Sequence, residues 1–534
     1  MSIAAAKALQ QSSSGWHNWS GNLSYAPPQG SQFFFMPSNA QELSAVLAQA
    51  VAAGKQVRVS GQRHSQPPLV ADASSQSANT LFLIDMSCYA DLGPGGNQRM
   101  IVQGNTVTVN TGVREDELDA FLGQNQLMLQ TVTAGGFFCV GGMTAVDVHG
   151  ATVQAPIFAE TAIAFTIMGA DGTVTTIDAN TAPVNGWSPL QFARVSLGML
   201  GVVTSVTLAV LPRPYANSLT GGIADGNWTT QDAFVQGLGA LLQQKTRVET
   251  FFNPYADGIF FYPFTACWWN VQTGSGAPYT PPSVENACQL AGQGEYGASY
   301  LKPPAKEAAG EIAAFAAQEA SDNILASVIN GTAVTVIKGD VNAANAQFSE
   351  LWLSQAARAT FMSYFIELPD LQAAGLGIVW QALQNVKNLV TQTGSFHLAA
   401  PMEFRFVRGG NSALAGTYTS NAPGSPFVNL DLIAFVPTDA AGTGLAYPDP
   451  MLQLFAAVER QWVALGGWPH NGKMYGFYDP NGAPGNYIQP FNPAFITAVR
   501  QRRAARVQAF NAYRQQRDPK GVFLNQYVDL VVGA

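Results

Sequence analysis

The chain has 534 residues, a formal net charge of −8 and only 11 % charged residues. An average soluble domain carries roughly 25 % charge, so this surface must rely on Gln, Asn, Ser and Thr, a composition expected of an exported protein with two or more domains. No basic cluster tracks a phosphate backbone, which argues against nucleic acid as a partner, and Arg500, Arg502, Arg503 and Arg506 read as the solvated face of one helix.

The opening MSIAAAKALQQSSSG has no basic stretch followed by a sustained apolar one, so the expectation is the mature form of a secreted bacterial protein. Ser38, Asn39, Ala40 and Gln41 have the form of a capping box, and Leu43, Val46, Leu47, Ala50 and Val51 follow at helical spacing up to Gly54, which predicts a helix over 39–53. A strand at 57–59 leads into VSGQRHS. Further on, TVTVN (106–110) reads as a strand, 115–126 as a helix, and 164–178 as a hairpin turning at Asp171 and Gly172. The uncharged apolar stretch 195–212 is long enough to span a membrane, but Gly198 and Gly201 break it and its β-branched alternation predicts a buried strand.

After Pro212 the texture changes. Amphipathic helices are predicted at 305–327, 342–358 and 371–393, with strands TVIKG (335–339), MEFRFV (402–407) and NLDLIAFV (429–436), which together predict a second α+β domain. Beyond Pro480 come a basic helix at 494–515 and the ending DPKGVFLNQYV. The expected division is 1–212, completed by 480–534, against 213–479. Cys88, Cys139, Cys267 and Cys288 show no metal-ligand spacing; Cys267 and Cys288 are the candidate disulfide in an oxidising compartment.

Two stretches carry the chemistry. Ser60, Gly61 and Ser65 surround His64 in a small-residue loop, where the main chain can approach an anion closely. The stretch 133–150, TAGGFFCVGGMTAVDVHG, is a second glycine-rich loop, and the two could cradle a pyrophosphate from two sides. Neither matches the dinucleotide or mononucleotide glycine signatures.

VRVSGQRHS, the VGG...HG loop about 70 residues later and LGMLGVVTSVTLAVLP (197–212) together resemble the FAD-binding domain of the vanillyl-alcohol-oxidase, or PCMH-type, flavoproteins. WHNWSG (16–21), the Pro37 to Glu42-Leu43 helix start and DPKGVFLNQY are similar to the same family, so the likeness covers both ends of the chain. The resemblance implies an α+β, two-domain architecture in which a PCMH-type FAD-binding domain carries an α+β substrate-binding cap. It implies FAD bound covalently through His64. Gly135 stands where some members carry a second linking cysteine, and Cys139 is out of register, so a single linkage is expected. Flavin contacts fall on Ser60, Gly61, Gln62, Arg63 and Ser65, on Gly135, Gly141, Gly142, Thr144, Asp147, His149 and Gly150, on Gly201, Val202 and Val203, and on Asn525.

For the substrate, MEFRF alternates with period two, which puts Glu403 and Arg405 on one strand face. They are either a structural ion pair or part of a pocket in which burial raises a carboxylate's proton affinity beside a fixed cation. RVETFFNPY supplies Glu249. PHNGK (469–473) supplies His470, Asn471 and Lys473 and resembles the R-P-H-W-G-K stretch of family oxidases, with Trp468 in place of Arg and Asn471 in place of Trp; these departures weigh against an aldonolactone substrate. Glu249, the Glu403/Arg405 strand and the CVGG...DVHG wording are together most similar to the type II, covalently flavinylated cholesterol oxidases. That likeness implies oxidation of a 3β-hydroxysteroid by O₂, giving H₂O₂, then isomerisation of the 5-en-3-one to the 4-en-3-one. Glu249 would be the base, Glu403 and Arg405 would line the site, and Arg405 with Lys473 would steady the dienolate. A monomer making transient contact with membranes to extract sterol is the matching expectation. An alditol or aldonolactone oxidase of the same family is the alternative, and a flavin-free binding protein the non-catalytic one.

Overall fold

The computed structural model describes residues 15–28, 30–72, 79–213, 219–271, 283–292, 305–343, 359–392, 395–421, 424–437 and 444–534. The first helix runs Ala40–Ala52 and is capped by Asn39, whose side chain accepts from the Glu42 amide. Glu42 in turn accepts from the Ser38 amide at 2.8 Å. The reciprocal cap thus sits one residue later than Ser38 and Gln41 predict, because Asn39 holds the extended backbone that a cap requires (φ −157°). Leu43, Val46, Leu47 and Ala50 bury that helix against Phe35, Phe82 and Ile84, covering a three-stranded parallel sheet in the order Phe34–Phe35, Leu81–Ile84, Gln56–Val59.

A five-stranded antiparallel sheet follows, in the order Val174–Asp178, Ala162–Met168, Val202–Ala209, Thr106–Asn110, Met100–Gln103. The predicted hairpin is its edge pair. The apolar stretch 195–212 contributes the central strand, which begins only after Gly201. At Gly201 φ is +128°, and a Cβ there would lie 2.6 Å from the Met168 carbonyl oxygen, so only glycine lets the chain enter the sheet at this point.

The second region is a seven-stranded antiparallel sheet, ordered Leu219–Gly226, Phe264–Val271, Arg247–Phe252, Met402–Arg408, Pro426–Ala434, Thr360–Glu367, Trp468–Pro469. Period-two alternation divides its faces. Val248, Phe252, Phe404 and Phe406 join one core with Phe234, Leu238, Val379 and Leu383 of the helices Gln231–Gln244 and Ala373–Val390. Phe251, Cys267 and Trp269 join another, with Trp19 and Phe137 of the first region. Glu249, Glu403 and Arg405 have the parity of Phe251. The architecture is α+β, as expected.

The structure departs from four expectations, and a fifth lies outside the described residues. TVIKG is not a strand: it lies inside the helix Ile324–Ala343, whose Val334 and Ile337 pack with Phe251 and Trp269, so tertiary burial overrides the local preference of β-branched residues. The helix expected at 342–358 falls outside the described residues beyond Ala343. The basic helix is two helices, Pro493–Arg502 and Ala504–Arg517. Its arginines are only in part a solvated face: Arg502 is exposed, 3.9 Å from the Trp468 ring, and Arg506 is half-buried, 4.0 Å from the Tyr418 ring, but Arg503 is buried. Finally, the disulfide joins Cys88 to Cys288 and Cys267 takes no part in it. It ties the turn after the Leu81–Ile84 strand to the short helix Ala287–Gly292.

The C-terminal residues return to the first sheet. The Val57 amide donates to Val522 O at 2.8 Å, and the buried Arg58 guanidinium donates to the carbonyls of Leu69, Leu197 and Phe523. This clamps three remote segments beneath the His64 loop.

Candidate active site

The strand Gln56–Val59 delivers the loop at its C-terminal end. The Ser60 amide donates to Ile84 O at 2.8 Å and its hydroxyl accepts from the Trp16 indole at 2.9 Å. Arg63 takes the left-handed backbone (φ +60°), and its carbonyl accepts from the Trp19 amide. Gln66 pins the far end to the second region, donating to Ala359 O and accepting from the Phe361 amide. Between these anchors His64 is held among aromatic rings, 4.5 Å from Trp19 and 4.9 Å from Phe138. Both its ring nitrogens are buried without a hydrogen-bond partner among the described residues. Burial, with Lys473 nearby, pushes its pKa well below the ordinary histidine value, so the imidazole is neutral and keeps a nucleophilic lone pair. Orphaned nitrogens of this kind are costly unless something bonds to them.

A large cavity opens beside His64. It is lined by Ser60, Gly61, Gln62, Arg63 and Ser65 on one side and by Gly141, Gly142, Thr144 and His149 on the other. Gly141 and Gly142 lie in the short helix Val140–Ala145. Gly141 packs so closely that a Cβ would stand 2.8 Å from Thr111 Cβ. A third wall comes from Ser196, Leu197, Gly198, Gly201 and Val203. There Val195 and Leu197 both have φ of +53°, a conformation that costs side-chain-bearing residues on the order of 1–3 kcal/mol each and concentrates at functional sites. Amide bonds from Val195 to Thr144 O and from Leu197 to Ala145 O hold it in place.

Five residues expected to contact cofactor do not line this cavity. Gly135 abuts the Phe137 ring, and Gly150 abuts the Val132 carbonyl. Val202 is in the core with Phe82. Asn525 caps the last helix and donates to Pro68 O. Asp147 is a clasp between regions: it accepts from the Gly416 amide at 2.9 Å and from the backbone and side-chain nitrogens of Asn471 at 2.7 and 2.6 Å. Asn471 is therefore a structural partner of Asp147 and Arg503, whose Nη1 lies 3.4 Å from its side-chain oxygen, and it too is outside the cavity lining. Cys139 does line the cavity, with its thiol pushed up to about 12 by burial and the nearby Asp85, so it stays protonated.

At one end of the cavity the seven-stranded sheet presents a polar cluster. Glu249 and Arg405 face each other across neighbouring strands, as do Glu403 and Asp431. Arg405 Nε lies 3.6 Å from a Glu249 oxygen, and its Nη2 contacts Glu403 closely and comes within 4.0 Å of Asp431. Glu403 and Arg405 are at once an ion pair and part of a pocket, so the two readings open in the sequence both hold. Glu249 is fully buried and does not line the cavity, whereas Glu403, Arg405, Asp431, His470 and Lys473 do. Burial lowers the Lys473 ammonium to about 8, opposed by the attraction of Asp431. Burial raises Asp431 above the usual carboxylate range. His149 and His470 are held well below the ordinary histidine value, first by burial. The Gly472 amide donates to His470 Nδ1 at 2.9 Å, which puts the proton of the neutral ring on Nε2; His149 Nδ1 lies 3.2 Å from Gly150 O, which leaves its Nε2 an acceptor.

Asp431 is a cavity-lining residue that sequence reasoning passes over. The signal was a lone carboxylate in the apolar strand NLDLIAFV. Asp85, Thr111 and Ser196, which also line the cavity, sit in unremarkable local sequence.

Comparison with known proteins bears on both halves. A family model described as an FAD binding domain matches residues 31–178, and one described as D-arabinono-1,4-lactone oxidase matches 375–531. Among curated proteins, L-gulonolactone oxidase of Mus musculus is 29% identical over 203 residues, 37% of this chain and 40% of its own. D-arabinono-1,4-lactone oxidase of Yarrowia lipolytica is 25% identical over 194 residues, 36% of this chain and 34% of its own. The chain thus matches about two fifths or less of the length of these relatives. Among solved structures, cholesterol oxidase from Brevibacterium sterolicum superposes with a TM-score of 0.70 over 97% of this chain and 96% of that one, at 16% identity. At that identity the likeness is one of fold and does not carry a substrate.

These findings overturn the steroid-oxidation and isomerisation reading. Its basis was three short sequence likenesses, at Glu249, at the Glu403/Arg405 strand and in the CVGG...DVHG loop, whereas the curated relatives and the matched C-terminal family model are named for aldonolactones. The Trp468 and Asn471 departures do not exclude that class, because Asn471 is held on Asp147 away from the cavity. The loops that enclose the cavity and the matched FAD-binding model agree with one another, and the chain carries an FAD-binding domain of the PCMH type.

Proposed function

We propose that the chain is an FAD-dependent oxidoreductase that oxidises a CH–OH group of an aldono-1,4-lactone, with O₂ as electron acceptor. The observation that carries this reading is the polar end of the cavity, where Glu403, Arg405, Asp431, His470 and Lys473 converge. Burying donors and acceptors without partners costs roughly 1–3 kcal/mol each. A lactone bearing several hydroxyls pairs them; a sterol, with one hydroxyl, would strand most of them. The names of the curated relatives point the same way.

His64 would hold the flavin through a covalent bond from a ring nitrogen, which satisfies an otherwise orphaned atom. When bound, FAD supplies the two-electron oxidation of the carbinol carbon. The protein orients the lactone and handles the proton. Glu403, the cavity-lining member of the carboxylate pair on Arg405, accepts the hydroxyl proton. Arg405, with the Lys473 ammonium, stabilises the negative charge that develops on the oxygen. Glu249 holds Arg405 in place rather than serving as the base. His470 Nε2–H donates to, and His149 Nε2 accepts from, other substrate hydroxyls. The disulfide between Cys88 and Cys288 supports an oxidising compartment, in keeping with export.

The test is a panel of L-gulono-1,4-lactone, D-arabinono-1,4-lactone, xylitol and cholesterol, followed by peroxide formation. Turnover of a lactone at the highest kcat/KM supports the proposal. Turnover confined to xylitol would move the substrate class to alditols.

A further inference from the structure

Asp431 sits in the middle of the strand Pro426–Ala434, opposite Ser363 on one neighbour and Glu403 on the other. Its side chain is almost wholly buried, yet it lines the cavity. The Ser363 hydroxyl serves the carboxylate, and Ser363 is itself fixed by the Asn429 amide at 2.9 Å. Asp431 Oδ1, however, has no hydrogen-bond partner among the described residues. Arg405 does not satisfy it: its Nη2 engages Glu403, its Nε lies 3.6 Å from Glu249, and its approach to Asp431 is 4.0 Å, to the other oxygen. Three buried carboxylates thus gather around Arg405 and Lys473; of the two that line the cavity, Glu403 is engaged by Arg405 Nη2, while Asp431 keeps an oxygen without a hydrogen bond among the described residues.

We propose that Asp431 determines substrate specificity, its open oxygen accepting a hydrogen bond from a second hydroxyl of the substrate, distinct from the one that is oxidised. This rests on the lactone reading above and sharpens it to lactones carrying at least two hydroxyls. A site built to bond a substrate hydroxyl discriminates strongly against an analogue that lacks it, because the buried acceptor is then left unpaired.

The test compares L-gulono-1,4-lactone with α-hydroxy-γ-butyrolactone, which has one hydroxyl, on the wild-type holoenzyme, Asp431→Asn and Asp431→Leu. The wild type is expected to prefer gulonolactone. Assayed well below the pH at which Lys473 loses its charge, Asp431→Asn, which keeps the shape, is expected to raise KM for gulonolactone roughly tenfold to a hundredfold with kcat changed by less than about threefold, and to leave KM for the single-hydroxyl lactone unchanged. Asp431→Leu is expected to do the same more strongly. Equal losses on both lactones, a fall in kcat at constant KM, or an unchanged KM in Asp431→Asn would overturn the assignment. Flavin content and thermal midpoint, measured on each variant, separate loss of fold from loss of specificity. If the wild type oxidises the single-hydroxyl lactone as well as gulonolactone, the specificity claim fails while the lactone reading stands; if it oxidises neither, both fall.

Discussion

Replacing Arg405 by Met removes a guanidinium that Glu249 approaches to 3.6 Å, Glu403 contacts directly and Asp431 approaches to 4.0 Å. Glu249 and Glu403 are at most 1% exposed, so water cannot take over the role of the lost cation. Removing one partner of a buried ion pair costs about 3–5 kcal/mol, because the remaining charge stays desolvated. With one carboxylate in direct contact and a second at 3.6 Å, the upper half of that range is expected, about 4–5 kcal/mol. The assay is denaturant unfolding of the holoenzyme, with the loss read from the midpoint at constant slope. The double variant Arg405→Met with Glu403→Gln removes one of the stranded charges and should recover about 2 kcal/mol, a coupling well above the few tenths expected of independent sites. A single variant within 1 kcal/mol of wild type, or strictly additive losses, would refute the idea that Arg405 is the electrostatic keystone of the cluster.

Three further outcomes follow from the same geometry. His64→Ala should release its flavin on acid precipitation, whereas the wild-type pellet stays yellow; colour retained by the variant pellet would remove His64 from the linkage. Because burial brings Lys473 to about 8, its stabilising charge is present below that pH and lost above it, so turnover should decline as pH rises through about 8. Lys473→Arg should flatten this limb and Lys473→Met should lower the rate at all pH values, whereas an unchanged limb in Lys473→Arg would exclude Lys473 as its source. The disulfide closes a separation of 200 residues, for which chain entropy predicts roughly 5 kcal/mol; Cys88→Ser with Cys288→Ser should therefore lower the thermal midpoint by several degrees, and an unchanged midpoint would contradict a stabilising role for the bond.

Local signals in the sequence carried the local structure. The helix Ala40–Ala52, the strand before His64 and the alternation that brings Glu403 and Arg405 to one face were legible, because propensity, spacing and burial agree there. Features that depend on remote partners were not. TVIKG reads as a strand, but the sheet core it packs against makes it helix. The pairing of Cys88 with Cys288 depends on two segments meeting across regions, which spacing along the chain does not encode. Arg503 reads as surface in a basic run, yet it is buried near the Asp147 and Asn471 clasp. Asp431 is invisible in an apolar strand until its neighbours Glu403 and Ser363 are known. The substrate was misread for a related reason: Glu403 and Arg405 were read without Asp431, His470 and Lys473, the other polar groups that converge with them in the cavity.

The most direct measurement is anaerobic mixing of the purified flavoprotein with each substrate while the flavin absorbance is followed. The account predicts that L-gulono-1,4-lactone or D-arabinono-1,4-lactone bleaches the flavin within one turnover and that cholesterol leaves it oxidised. Bleaching by cholesterol with neither lactone effective would contradict it.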